Sequence, residues 1–361
     1  MSIPALERLC IASGGTGGHI FPALAFAERL RSESAHPVWL GTNRGLELRV
    51  TRAAGIPFHA LAFEGVRGRG LRAWVMLPLR LLHALWQALS ILRAERPQVV
   101  VTFGGYVSFP VGLAARLLGH PLVIHEQNAV MGSANRWLAK IANRVAVSFP
   151  QTRFAPAESG VTGNPVRASL TSLAPASERI QARTGVPRVL VIGGSLGARP
   201  LNEAMPQALH SALASGVRWE IWHQTGPAEQ GVTAQRYADH RLTARVDAFI
   251  EDMSEAYLWA DLVVCRAGAS TVTELMALGQ PALFVPLPHA IDDHQTANAR
   301  AMTTSGGARM VPQSEHLAGD LARELMALDR ATLLDLARLA ERQRDVHACE
   351  RLVELVKDAM T

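Results

Sequence analysis

His19 closes a glycine-rich run, Gly14-Gly15-Thr16-Gly17-Gly18-His19, that follows directly on a short apolar stretch. Glycines at such a point let the backbone turn tightly and approach a ligand. A helix opening behind them aims unpaired amides and the positive end of its dipole at an anion. A histidine there has a reference pKa near 6.5, suited to taking a proton at neutral pH, although capping its own helix is the plainer role. A second run, Gly193-Gly194-Ser195-Leu196-Gly197-Ala198, also follows an apolar stretch, and a third turn stands at Gly104-Gly105. One glycine-rich turn is as readily tight packing as a ligand cradle; three together make phosphate the expected guest. Neither long run completes GxGxxG, and GxxxxGK[ST] occurs nowhere, so dinucleotide and P-loop chemistry lose their main support. Asp292 and Asp293 do not make a convincing metal pair, and there is no DxD.

The elements that must carry these turns alternate along the chain. Strand-like runs at 9–12, 38–41, 99–103, 122–125 and 144–148 are separated by helical patterns. After a stretch with several Pro, Ser and Thr at 159–187, the pattern restarts with runs at 188–192, 219–223, 245–249, 262–265 and 282–285. Such alternation predicts parallel sheets flanked by helices, here two doubly wound α/β domains. A length of 361 residues agrees with about two domains.

Apolar residues make up 48% and charged residues 19% of the chain, a composition that excludes disorder and fibrous repeats. The formal charge of +5 admits nucleic acid, an anionic membrane or phosphorylated substrates as partners. Nearly all the positive charge is arginine, Lys140 and Lys357 being the only lysines, and no block of like charge marks a nucleic-acid tail. No nucleic-acid partner is expected. Cys10, Cys265 and Cys349 are too far apart for a disulfide framework or a zinc motif, which fits a reducing cytoplasm. The first nine residues lack the pattern of a signal peptide. The most apolar region, 71–92, is interrupted by Arg72, Pro78, Arg80 and His83 and is too broken to span a bilayer. After Pro78, Leu79, Leu82, Leu85, Trp86, Leu89 and Leu92 follow helical spacing and are predicted to face the core. Trp74, Leu77 and Leu81 are surplus to that stripe and interleave with Arg67, Arg69, Arg72 and Arg80. That arrangement suits an interfacial anchor, or equally a buried helix beside a basic loop.

Taken together, GGTGGH at 14–19, FGGYVSFP at 103–110, HEQN at 125–128, GNPVR at 163–167, GGSLGA at 193–198, CRAGASTVTEL at 265–275 and DHQTANA at 293–299 resemble the MurG family of GT-B glycosyltransferases along nearly the whole chain. The resemblance implies two Rossmann-like domains facing across a cleft: 1–163 for the acceptor, 164–340 for UDP-N-acetylglucosamine, and a C-terminal helix at 341–361 returning to the first. It implies inverting transfer of N-acetylglucosamine from UDP to lipid I, giving lipid II in peptidoglycan synthesis, without metal or cofactor, at the cytoplasmic face of the plasma membrane. By the same resemblance, residues 269–274 (Ala269, Ser270, Thr271, Val272, Thr273 and Glu274) lie against the diphosphate and ribose, Glu274 accepting from the ribose diol. Ser195 donates to phosphate, Ile250 offers backbone groups to the uracil edge beside Phe249, and Gln295 meets the sugar. Thr16, Gly17, Gly18, Asn128 and Arg167 approach the donor from the first domain. His19 is the candidate base, Glu126 a second candidate assisting it, and Gly104, Gly105 and Tyr106 belong to the acceptor side.

Read without that resemblance, Arg167 caps a loop, Asn128 holds a turn, Glu274 is a first-turn carboxylate favoured by the helix dipole, and Ile250 is core. Two positions depart from the family pattern: Leu196 replaces a usual Gln, and His294 stands where some members have Gln. Two other readings suit the same architecture, a UDP-N-acetylglucosamine 2-epimerase and a non-catalytic nucleotide-sugar-binding scaffold. Activity on the donor without a lipid acceptor marks the first, and the intact run at 14–19 alongside an intact donor motif argues against the second.

Overall fold

Residues 99–102 read Val-Val-Val-Thr and are buried throughout, as a strand covered on both faces by helices requires. In the computed structural model, which describes residues 5–43, 45–63, 75–194, 196–288 and 290–361, this strand lies inside a parallel sheet. Its described strands are β1 (Arg8–Ala12), β2 (His36–Thr42), β3 (Phe58–Leu61), β4 (Val99–Thr102), β5 (Leu122–Glu126), β6 (Arg144–Val147) and β7 (Gly160–Val161), in the order β3-β2-β1-β4-β5-β6-β7. A second parallel sheet runs β10-β9-β8-β11-β12-β13, from β8 (Arg188–Ile192), β9 (Glu220–Gln224), β10 (Ala244–Asp247), β11 (Leu262–Cys265), β12 (Ala282–Phe284) and β13 (Ala308–Met310).

The chain divides into two units, residues 1–167 with 346–361, and residues 168–345. The stretch 163–167 therefore stays whole in the first unit, and 341–345 belong to the second. Alternation along β1 builds two core layers in the first unit. Leu9 and Ile11 pack with Phe26, Trp39, Leu352 and Val356 on one face, while Cys10 and Ala12 pack with Ala88, Leu92, Val100 and Val111 on the other. The C-terminal helix completes the first of these layers. The second unit has its own core around Val189, Val191, Leu201, Met205, Val264, Leu283 and Leu321.

Both sheets reverse direction of growth once, between β1 and β4 and between β8 and β11. At such a reversal the flanking loops diverge to opposite faces and leave a crevice beyond the carboxyl ends of the strands, the usual ligand position in open α/β sheets. The motif turns of the first unit leave the carboxyl ends of β1, β4, β5 and β7, and those of the second leave β8, β10, β11 and β12.

One helix differs from its sequence reading. The helix after Pro78, Leu77–Glu95, buries Ala84, Ala88 and Leu92. Leu79, Leu82 and Trp86, predicted to face the core, are instead 60%, 62% and 64% exposed. Leu77 and Leu81 are half-buried. The physical reason is that this helix is apolar on more than one face, so periodicity cannot choose between them. The alanines allow close approach to the core and leave the bulky side outside. Arg67, Arg69, Arg72 and Trp74 lie outside the described residues.

Candidate active site

In the first unit, helix α1 (Gly17–Ser32) begins from Thr16, whose extended backbone accepts from the amides of His19 and Ile20. No acidic residue occupies its first turn, so the positive end of the helix is uncompensated by side chains. The loop before it interlocks with the loop after β4. A Cβ on Gly105, whose φ is +83°, would stand 2.0 Å from the Gly14 carbonyl oxygen, so only glycine lets the two backbones touch. Ser108 Oγ donates to the Gly104 carbonyl at 2.7 Å and fixes the second of these loops. Tyr106 is 47% exposed beside them.

His19 packs against Gly104, and its Nδ1 lies 3.0 Å from Gln127 Oε1. Among the described residues nothing hydrogen-bonds its Nε2. Glu126 is in a different situation. It is buried, and its oxygens accept from the Asn128 amide (3.0 Å), the Asn128 side chain (3.2 Å), the Gly132 amide (3.0 Å) and Asn135 Nδ2 (2.8 Å). A carboxylate so engaged orders the turn holding Gln127 and Asn128. Arg167 is half-buried, its guanidinium carbon 5.3 Å from the centre of the Phe21 ring.

In the second unit, helix α2 (Ala269–Leu278) starts from Gly268 after β11. Ser270, Thr271 and Glu274 are the partly exposed positions of its first turns, whereas Ala269, Val272 and Thr273 are buried. Thr273 Oγ1 donates back to the Ala269 carbonyl at 2.9 Å. The Val272 amide already donates to the Gly268 carbonyl at 2.9 Å, so of these three only Ala269 has its amide at the open start of the helix. Tyr257 OH donates to Glu274 Oε2 at 2.9 Å and orients the carboxylate. Ile250 is buried and Phe249 is 43% exposed beside it. Gln295 Oε1 accepts from the Leu287 amide at 2.9 Å, which ties the turn after β12 to the helix His294–Thr303. Ser195 lies outside the described residues, and the neighbouring Leu196 is 85% exposed.

Several supporting residues were not singled out by the sequence. The second glycine loop is interlocked like the first: a Cβ on Gly197 (φ +77°) would meet the Thr225 carbonyl oxygen at 1.8 Å. Asn202 Nδ2 donates to that same carbonyl at 2.9 Å, its Oδ1 lies 3.1 Å from His223 Nε2, and His223 Nδ1 lies 2.9 Å from Tyr237 OH. Burial pushes the His223 pKa down to about 3, so the ring is neutral. Arg266 donates to the carbonyls of Val285 and Pro286 and to Gln313 Oε1, joining the loops after β11 and β12; desolvation lowers its pKa. Asn202 and His223 stand in no motif, and Arg266, though inside 265–275, is not marked there by any role, so pattern alone could not assign them.

With glycine-rich loops and open helix starts gathered at both sheet reversals, each unit has the construction of an anion site. The chain matches the glycosyltransferase family 28 N-terminal domain over residues 9–147 and the glycosyltransferase family 28 C-terminal domain over residues 188–352. It belongs to glycosyltransferase family 28. Among its relatives is the UDP-N-acetylglucosamine--N-acetylmuramyl-(pentapeptide) pyrophosphoryl-undecaprenol N-acetylglucosamine transferase of Nitrosococcus oceani, 49% identical over 350 residues, which cover 96% of this chain and 97% of that one. The crystal structure of Acinetobacter baumannii MurG is similar with a TM-score of 0.83 at 39% identity, covering 98% of this chain and 99% of that one. The crystal structure of a putative UDP-N-acetylglucosamine 2-epimerase from Listeria monocytogenes shares the fold at a TM-score of 0.66 but only 15% identity, over 98% of this chain and 97% of that one.

Proposed function

We propose that this chain transfers N-acetylglucosamine from UDP-N-acetylglucosamine to lipid I, giving lipid II with inversion at the anomeric carbon. The reading rests most on one observation: each unit gathers its glycine loop and an open helix start at its sheet reversal, and in the first unit His19 Nε2 stands beside them without a protein partner among the described residues.

In this scheme the loop at 104–106 receives the acceptor, and Thr16, Gly17 and Gly18 at the start of α1 serve the donor. His19 Nε2 takes the proton of the acceptor hydroxyl as its oxygen bonds to the anomeric carbon and the bond to UDP breaks. The charge left on the UDP diphosphate is met by the amides at the start of α2, by Ser270 and Thr271, and by the loop at 193–198. Glu274 accepts from the ribose hydroxyls, and Gln295 and Asn128 meet the transferred sugar. Glu126 positions the turn between β5 and Asn128 rather than moving a proton. The scheme uses no cofactor and no metal ion.

No helix among the described residues is long and apolar enough to cross a membrane. The acceptor's polyprenyl chain nevertheless demands a membrane face, and the exposed stripe Val75, Leu79, Leu82 and Trp86 supplies one. This helix packs on Ser108–Leu117, which packs on Ser133–Leu138, and these bring Leu117 and Trp137 to the surface at 62% and 63% exposure. Lys140 Nζ lies 4.3 Å from the Trp137 ring centre, a cation placed beside the apolar surface. We assign this surface to peripheral attachment at the anionic cytoplasmic leaflet of the plasma membrane.

The deciding experiment incubates the protein with labelled UDP-N-acetylglucosamine and a short-chain lipid I analogue. Label is expected in the lipid product. Conversion of the labelled donor to an epimer without lipid would replace this reading with that of an isomerase.

A further inference from the structure

The ring of His19 ends a line of hydrogen bonds that runs into the first unit's interior. Its Nδ1 lies 3.0 Å from Gln127 Oε1. Gln127 Nε2 lies 3.1 Å from His125 Nδ1 and 3.3 Å from the His125 backbone oxygen. His125 Nε2 lies 2.9 Å from the Gly163 backbone oxygen. His125 and Gln127 are both fully buried, and the His125 ring packs on Phe103 with centroids 5.1 Å apart.

Two backbone carbonyls set the direction of every bond in this line, because a carbonyl oxygen only accepts. The His125 oxygen requires the NH2 side of the Gln127 amide to face it, which leaves Oε1 toward His19. An amide oxygen also only accepts, so His19 Nδ1 carries the hydrogen. At the far end the Gly163 oxygen makes Nε2 the hydrogen-bearing nitrogen of His125. Burial pushes the His125 pKa down to about 4, so its ring stays neutral and its Nδ1 lone pair accepts from the Gln127 amide.

We infer that Gln127, backed by His125, holds His19 as the Nδ1–H tautomer and thereby places the basic lone pair on Nε2, making Gln127 and His125 positioning residues for proton transfer. The inference rests on the reading of His19 as the base. A neutral amide in this place has a specific use. His19 can gain a proton at Nε2 and lose it again while its Nδ1–H bond to Gln127 stays in place, so the ring needs no reorientation during turnover. It also ties the base to β5, through residues 125–127, and to the turn after β7, through Gly163. That fixes the ring relative to the sheet as well as to its own helix.

The test is the tautomer itself, read from imidazole nitrogen shifts of the full-length protein labelled at histidine, with the His19 signals identified by their loss in His19→Ala. The expected result is Nδ1–H for neutral His19. In Gln127→Met, which keeps the side-chain volume and removes both hydrogen bonds, the Nε2–H form should appear. Turnover should then fall roughly 10- to 100-fold with the donor KM unchanged. Gln127→Glu, which keeps an acceptor oxygen toward Nδ1, should restore the Nδ1–H form and part of the turnover. Nε2–H in the wild type would overturn the inference, as would an unchanged Nδ1–H form in Gln127→Met. The wild-type spectrum decides even if the Met variant does not fold. Full activity of His19→Ala would remove the base assignment and with it the functional meaning of the relay, an outcome separate from the tautomer measurement.

Discussion

A methyl group added to Gly104 would stand 2.9 Å from His19 Nδ1, at a backbone φ of +87° that a side chain disfavours. Gly104→Ala is therefore expected to push the imidazole off Gln127 and reduce turnover without touching the donor unit; unchanged steady-state kinetics would show that the ring tolerates the displacement. His19→Ala removes the base outright and should lower kcat by about 10²- to 10⁴-fold while leaving thermal stability and UDP-N-acetylglucosamine binding near wild type. Glu126→Gln separates the two carboxyl and imidazole roles. It turns an NH2 donor toward donors already placed by Asn128, Gly132 and Asn135, so stability and activity should drop together in a melting experiment and an assay on the same sample. In the second unit, Glu274→Ala should weaken UDP-N-acetylglucosamine binding by about 1 to 3 kcal/mol in titration calorimetry if the ribose diol is its ligand. Equal affinity of mutant and wild type would move the ribose elsewhere.

Helix Leu77–Glu95 shows what an element can conceal from its own sequence. Its apolar residues cover more than one face, and the small side chains Ala84 and Ala88 decided which face went inward. The ten strand-like runs all became strands; nine lie inside the sheets, where a strand buried on both faces needs an apolar run, a signal strong at single-sequence level, and the tenth, β10, is a partly exposed edge strand. The strands without such a signal are β3, β7 and β13, each at a sheet edge: β3 is partly exposed, β7 has two residues, and β13 has three. The glycine loops and helix starts were legible because close backbone approach leaves no other residue possible at Gly105 and Gly197. Asn202 was not, and although Gln127 and Arg266 fall inside the HEQN and CRAGASTVTEL stretches their roles were not either, since a buried polar side chain is chosen by partners distant in sequence. The exposed stripe gives its own prediction. Leu79, Leu82 and Trp86 point away from the core, so replacing all three by serine should leave melting behaviour and donor binding intact while abolishing sedimentation with anionic vesicles. Each wild-type side chain would contribute on the order of 1 to 3 kcal/mol on leaving water. Sedimentation of the triple variant like wild type would place the attachment face elsewhere.

Among the described residues each unit keeps one fully buried neutral histidine as a structural hydrogen-bonding group, His125 in the first and His223 in the second. Burial lowers their pKa values to about 4 and about 3, against 6.5 for an unhindered imidazole. In the interval between, the unfolded chain binds protons that the folded chain refuses, so unfolding free energy rises with pH there. Their contribution to stability is thus fully present above pH ~6.5 and is lost as pH falls toward about 4 for His125 and about 3 for His223. The full shifts correspond to losses on the order of 3 to 5 kcal/mol for each unit. Acid should therefore weaken both units from just below neutrality, before most carboxylates titrate. Calorimetry of the full chain between pH 7.5 and pH 5, with and without UDP, would follow both units, since a ligand held by one stabilises that unit selectively. His223→Gln can still accept from Tyr237 OH and donate to Asn202 Oδ1, but cannot take up a proton when unfolded. Its second unit should begin less stable at pH 7.5 through imperfect packing, yet lose less stability per pH unit than wild type. An identical slope in the two proteins would mean that His223 is not what couples this unit to pH.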